Sequence, residues 1–151
     1  MSASQSTSQG KRIVVGVDGS PASVQALTWG FRQAALTGST VEAVCAWHYP
    51  SSLGMAIPDT ADYQALAEET LDKAIAAART ADDGFATVPV RPLIVHDQPA
   101  KALLDQASGA AMLVVGFRGH GGFREALLGS VSQHVAHHAP CPLVIIRDGV
   151  G

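Results

Sequence analysis

Two short loops hold the residues whose types and spacing could do chemistry. The first is Gly116-Phe117-Arg118-Gly119-His120-Gly121-Gly122, which follows directly on an apolar run at 112–115. After residues 123–128 it leads to Gly129-Ser130-Val131-Ser132-Gln133, where a helical pattern begins. An apolar strand that runs into a glycine-rich loop and then a helix start directs backbone N–H groups and a positive helix end at one point. That is the chemistry of holding a phosphate. The second loop is Val17-Asp18-Gly19-Ser20-Pro21, at the end of another apolar run at 12–17. There Ser20 suits an N-cap and Pro21 a first-turn position whose N–H would be orphaned in any case. Asp18 adds a carboxylate beside the turn. Ser130-Val131-Ser132-Gln133 likewise predicts a capping box, with Ser130 as the capping residue.

The elements that must position these loops alternate along the chain. After Pro21 a helical pattern places Val24, Leu27, Phe31 and Ala34 on one face, and Gly38 is its natural stop. Residues 40–47 form a second strand-length apolar run, and the breakers between Pro50 and Pro58 make a loop. Residues 60–81 are helical, with Leu71, Ile75 and Ala78 on one side and Gly84 ending the region. Residues 88–95 give a third strand; Pro89 and Pro92 predict an edge position, because Pro cannot donate to a ladder. Asp97 and Pro99 open a short helix with Leu103 and Leu104, residues 111–116 form a fourth strand, and residues 142–147 a fifth. Between the last two, a helix runs from Ser130 to about His138. These strands are near-continuous apolar runs, which predicts burial on both faces in a mostly parallel sheet. Right-handed crossovers then give a doubly wound, five-stranded, Rossmann-like α/β fold with helices on both faces. Ligands in such sheets bind beyond the carboxyl ends of the strands, where the winding reverses. Both loops follow strands, so both lie at that rim and form one site.

The two commonest phosphate motifs fail here. A Walker A loop needs Gly-Lys-Ser or Gly-Lys-Thr, and neither occurs. The dinucleotide fingerprint needs a third glycine three residues after Gly121, and that position is Arg124. What the chain does present is Gly116-x-x-Gly119, nine residues, then Gly129-Ser130. In this the chain resembles the universal stress protein family, in its ATP-binding branch. Val15-Gly16-Val17-Asp18-Gly19-Ser20, the order of elements, and Ala139-Pro140-Cys141-Pro142 before the last strand extend the resemblance over most of the chain. It implies that Val17, Asp18, Gly19 and Ser20 form one wall, with Asp18 near the ribose or a metal-bound phosphate. It implies that the backbone at Ala46 meets the adenine. Gly116, Arg118, Gly119, His120 and Gly121 would wrap the phosphates, and Gly129, Ser130, Val131 and Ser132 would close on them from the helix end. Phe117 departs from the small hydroxyl residue more usual there. ATP is the implied cofactor, with Mg2+ as a candidate companion. The resemblance also implies a homodimer paired through the last strand (Leu143, Val144, Ile145, Ile146, Arg147).

The bulk properties bound the function classes. The 151 residues suit one domain at 11–151 behind a flexible Ser/Gln/Thr-rich tail at 1–10. Hydrophobic residues make up 47% and charged residues 15%, with a net charge of −3 and no basic stripe, so nucleic acid is not an expected partner. No apolar stretch approaches the roughly 20 residues that span a bilayer, and the start lacks the apolar core of a secretory signal. No membrane association and a cytoplasmic location are expected. Cys45 and Cys141 lie in or beside strands and read as buried free thiols. His134 and His138 are four apart on one helix side, with no third ligand specified by the sequence and no His-Glu-x-x-His. With no catalytic constellation above chance, the expected function is an ATP-binding regulator of a stress response, with at most slow hydrolysis. A partner-binding dimeric module of the same fold with little nucleotide affinity, or a weak ATPase, stays open as the alternative.

Overall fold

The computed structural model describes residues 11–48, 60–117 and 129–147. These form five strands: β1 (Arg12–Gly16), β2 (Thr40–Trp47), β3 (Val90–His96), β4 (Met112–Gly116) and β5 (Leu143–Ile146). Four α-helices connect them: α1 (Pro21–Thr37), α2 (Thr60–Arg79), α3 (Pro99–Ala107) and α4 (Ser130–His138). The strands make one sheet in the order β3-β2-β1-β4-β5, and every pairing is parallel. The chain winds outward from β1 to β3, then crosses back to build β4 and β5 on the other side. The winding therefore reverses between β1 and β4. This is the doubly wound α/β architecture that the apolar runs predict.

Strand alternation divides the core into two layers. Ile13, Val15 and Val17 of β1 and its extension, with Val41, Ala43 and Cys45 of β2, pack under α1 and α2. Val14, Val44, Leu113 and Val115 point the other way, against Leu103 and Ala107 of α3 and Val135 of α4. Phe31 and Leu27 of α1 are fully buried, each stabilising the fold by about 1.5–3 kcal/mol relative to exposure. β3 is an edge strand, as Pro92 within it and Pro89 just before it predict. Its partner Ala43 sits opposite Pro92, and Arg91 and Pro92 face solvent.

Helix ends show where local pattern and tertiary context differ. Ser20 caps α1 as predicted, accepting from the Ser23 N–H at 3.2 Å, and Gly38 closes the helix with its N–H on Ala34. α2 ends at Arg79, earlier than its pattern suggests, and a 3-10 turn at Asp83–Phe85 contains Gly84. That turn stacks Phe85 on Phe31 at 5.8 Å, and Arg79 donates to the carbonyls of Phe85, Ala86 and Val88. α3 is preceded by Gln98 in the cap position, while Asp97 instead accepts from the Gln98 N–H at 2.8 Å.

Candidate functional site

β1 and β4 end side by side at the switch point, and the two loops of the sequence reading leave from those ends. The loop after β1 is a closed circuit of hydrogen bonds. Asp18 Oδ1 accepts from the Ser20 N–H at 2.9 Å and from the Ser20 hydroxyl at 2.5 Å. The Ser23 hydroxyl accepts from the Asp18 N–H at 3.3 Å and donates to the Ser20 carbonyl at 3.0 Å. Gly19 has φ +85°, a left-handed conformation that side chains disfavour, which explains a glycine in this turn. Ser20 and Val17 are buried, whereas Asp18 and Gly19 are exposed at the rim. Asp18 is thus oriented by the cap residue and presented to solvent.

Gly116, at the end of β4, is where the second wall meets the first. A Cβ built on it would lie 2.8 Å from the Ala22 Cβ and about 3 Å from that residue's backbone (3.0 Å to the carbonyl carbon, 3.1 Å to the oxygen), so only glycine lets the first turn of α1 sit this close. Its carbonyl accepts the Ser132 hydroxyl at 2.5 Å, so the first turn of α4 is tied to the same residue. The starts of α1 and α4 therefore converge on Gly116.

The α4 start corrects the predicted capping box. The cap residue is Gly129, not Ser130, and a glycine brings no capping side chain of its own. Gly129 donates to the Phe117 carbonyl at 2.9 Å, and Ser130 is the first helical residue. Ser132 is buried with its hydroxyl on Gly116, so it positions the turn. Among the described residues, the leading backbone N–H groups of α4 are therefore not satisfied by a side chain of the cap residue. Arg118, Gly119, His120 and Gly121 lie outside the described residues. Phe117 is half-buried, its N–H on the Ile146 carbonyl at 2.7 Å and its ring 4.8 Å from the Arg147 guanidinium. The ring thus stacks at the β5 side of β4, whereas Gly116 faces α1.

Ala46 stands one strand outward, near the end of β2. The Val44 carbonyl accepts the Val17 N–H at 2.8 Å, which shows that even-numbered residues of β2 turn their backbone groups toward β1. The Ala46 amide and carbonyl are the next such pair, one step past Val17 and beyond the end of β1. Beyond it lies a group that sequence reasoning did not single out. Trp47 stacks on His96 at 3.9 Å with the planes 3° apart, and on Tyr63 of α2 at 5.8 Å. Trp47 Nε1 also donates to Gln64 Oε1 at 2.9 Å. The signal was available: Trp47 and His96 each close a strand and so share the rim. Cys45, buried beneath Ala46, has its thiol pKa pushed up to about 11, chiefly by burial and then by the negative charge of Asp18.

At the opposite rim sits a second residue that the sequence reading missed. Glu42 is 2% exposed and pairs with Arg12 at 3.2 Å and Arg91 at 3.6 Å. Arg12 also donates to the carbonyls of Gln106 and Ser108, which ties the end of α3 to β1. This network is far along the strands from the loops and serves the fold.

The model of the universal stress protein family matches residues 10–147. The chain belongs to this family. A universal stress protein of Mycobacterium tuberculosis is 35% identical over 136 residues, which cover 90% of this chain and 45% of that protein. The chain thus spans about half the length of such relatives. Among solved structures, a universal stress protein in complex with cAMP is 27% identical, with a TM-score of 0.61 over 90% of this chain and 95% of that one. A universal stress protein from Archaeoglobus fulgidus in complex with dAMP is 26% identical, with a TM-score of 0.64 over 89% of this chain and 96% of that one. Nucleotide binding is therefore documented among relatives of the same fold.

Proposed function

We propose that this universal stress protein binds ATP in the crevice between the ends of β1 and β4 and acts as a regulatory stress-response protein of the cytoplasm. The observation that carries this is the convergence of two helix starts on Gly116, with a glycine at the cap position of α4. An anion satisfies such N–H groups and gains about 0.3–1 kcal/mol from an exposed helix end, so several contacts must act together. The Ala46 amide and carbonyl supply the donor and acceptor for the edge of the base. The Gly129, Ser130, Val131 and Ser132 turn, with Gly116, Arg118, Gly119, His120 and Gly121, receives the phosphates. Asp18, held by Ser20 at the rim, is the oxygen donor for a Mg2+ carried by those phosphates, an ion that typically takes one or two carboxylates plus phosphate oxygens. The Phe117 ring, stacked by Arg147, sits beside β5, which favours an open crevice over an occluded one. The protein works by nucleotide occupancy, with hydrolysis slow or nil, and pairs with a second copy along β5.

The test is to denature the purified protein and identify released nucleotide by chromatography, alongside calorimetry with ATP–Mg2+. Recovery of adenine nucleotide or saturable binding supports the reading; neither one occurring rejects it. Gly129→Glu puts a like charge and bulk at the phosphate end, and should weaken ATP at least about 100-fold, equivalent to about 3 kcal/mol. Unchanged affinity would move the site elsewhere.

A further inference from the structure

α4 carries a second feature at its other end, which the nucleotide reading leaves unused. His134 and His138 are one helical turn apart and both exposed. Their rings already approach each other, with centroids 4.8 Å apart and planes tilted by 40°. A metal–nitrogen bond of about 2.0–2.1 Å sets an ion roughly 3.2 Å from each imidazole centroid, so two rings at cis angles of about 90–109° lie roughly 4.5–5.2 Å apart. The observed separation falls inside that window. His137 is the internal contrast: it neighbours His138 in sequence, its ring is 6.4 Å from that of His138 and edge-on to it, and adjacent residues on a helix do not face each other. His138 also lies in the last turn of α4, where the negative end of the helix dipole favours a cation. Among the described residues no group of three or more His, Cys, Asp or Glu is placed to hold a metal, so water would fill the remaining positions.

We infer that His134 and His138 form a two-imidazole chelate for a borderline divalent transition ion such as Zn2+, at the end of α4 away from the phosphate turn. Imidazole pairs suit Zn2+, Ni2+ and Cu2+ and discriminate against Mg2+ and Ca2+, which prefer oxygen. The site is open, with coordination positions available to a ligand from another molecule, and its occupancy does not depend on nucleotide.

The experiment is calorimetric titration of the untagged, full-length protein with Zn2+, repeated with Mg2+, and then with His134→Gln, His138→Gln and His137→Gln. One-to-one Zn2+ binding is expected, with no heat from Mg2+. His134→Gln and His138→Gln should each weaken it at least about tenfold, the loss of one of two chelating ligands, while His137→Gln leaves it within twofold. All three positions are exposed, and circular dichroism verifies that each variant folds. Absence of Zn2+ binding, parent-like affinity in both His134→Gln and His138→Gln, or an equal loss in His137→Gln would each overturn the assignment.

Discussion

At the level of single residues, the two cysteines show how much burial alone changes chemistry. Both read from the sequence as buried thiols, but Cys45 is buried and Cys141 only half so. Each has its pKa raised by desolvation; at Cys45 the Asp18 charge adds to this, whereas at Cys141 the Arg12 charge opposes it. A pKa of about 11 at Cys45 leaves about one thiolate in a thousand at pH 8, and the thiolate is the reactive species. A thiol-exchange reagent at pH 8 should therefore modify Cys141 first and Cys45 at least about 100-fold more slowly, until denaturant exposes both. Raising the pH toward 10 should speed the Cys45 reaction, because ionisation there lags that of an ordinary thiol. Equal rates for the two thiols in the native protein would contradict this arrangement. The identity of each cysteine was legible; its environment depended on which residues the fold brought beside it.

At the level of elements, the joint between α1, β4 and α4 rests on the absence of a side chain at Gly116. Replacing it with Val would put side-chain atoms where the Ala22 backbone lies, at contacts near 3 Å that no rotamer relieves. The first turn of α1 would have to move, at a cost of about 1–3 kcal/mol typical of overpacking. Thermal or denaturant unfolding of Gly116→Val should show that loss, and nucleotide affinity should fall with it because the α4 turn is anchored on the same residue. Parent-like stability would mean the joint yields more easily than its contacts imply. The strand and helix order, the cap at Ser20 and the edge position of β3 were all readable, since each follows from local residue chemistry. The span of α4 was readable too, but its cap was not. Ser130 has the right chemistry for a cap, but the Gly129 bond to Phe117 and the Ser132 bond to Gly116 set the phase of the helix one residue earlier.

At the level of the whole molecule, the parallel sheet has two edges that differ in kind. β3 carries Pro92 and exposed Arg91, features that blunt edge pairing, while β5 is a short apolar run of half-buried residues. Val144 and Ile146 turn their backbone groups toward β4, as the Phe117 bond to Ile146 shows, so those of Leu143, Ile145 and Arg147 face outward. If a second copy pairs there, Ile145→Pro should remove an outward donor and convert a dimer to a monomer in analytical ultracentrifugation. A parent that sediments as a monomer, or a variant that remains dimeric, would remove β5 as the interface. The sequence by itself determined the alternation of apolar strands with amphipathic helices, and with it the doubly wound sheet and the rim on which the loops lie. It did so because burial period and turn chemistry are local. Only the tertiary structure decided that Gly116 joins two helix starts, that Ser132 faces a carbonyl, and that Glu42 is buried between two arginines. Those contacts join residues far apart in the chain. They depend on how closely helices seat on the sheet, a property of packed volumes that local pattern does not encode.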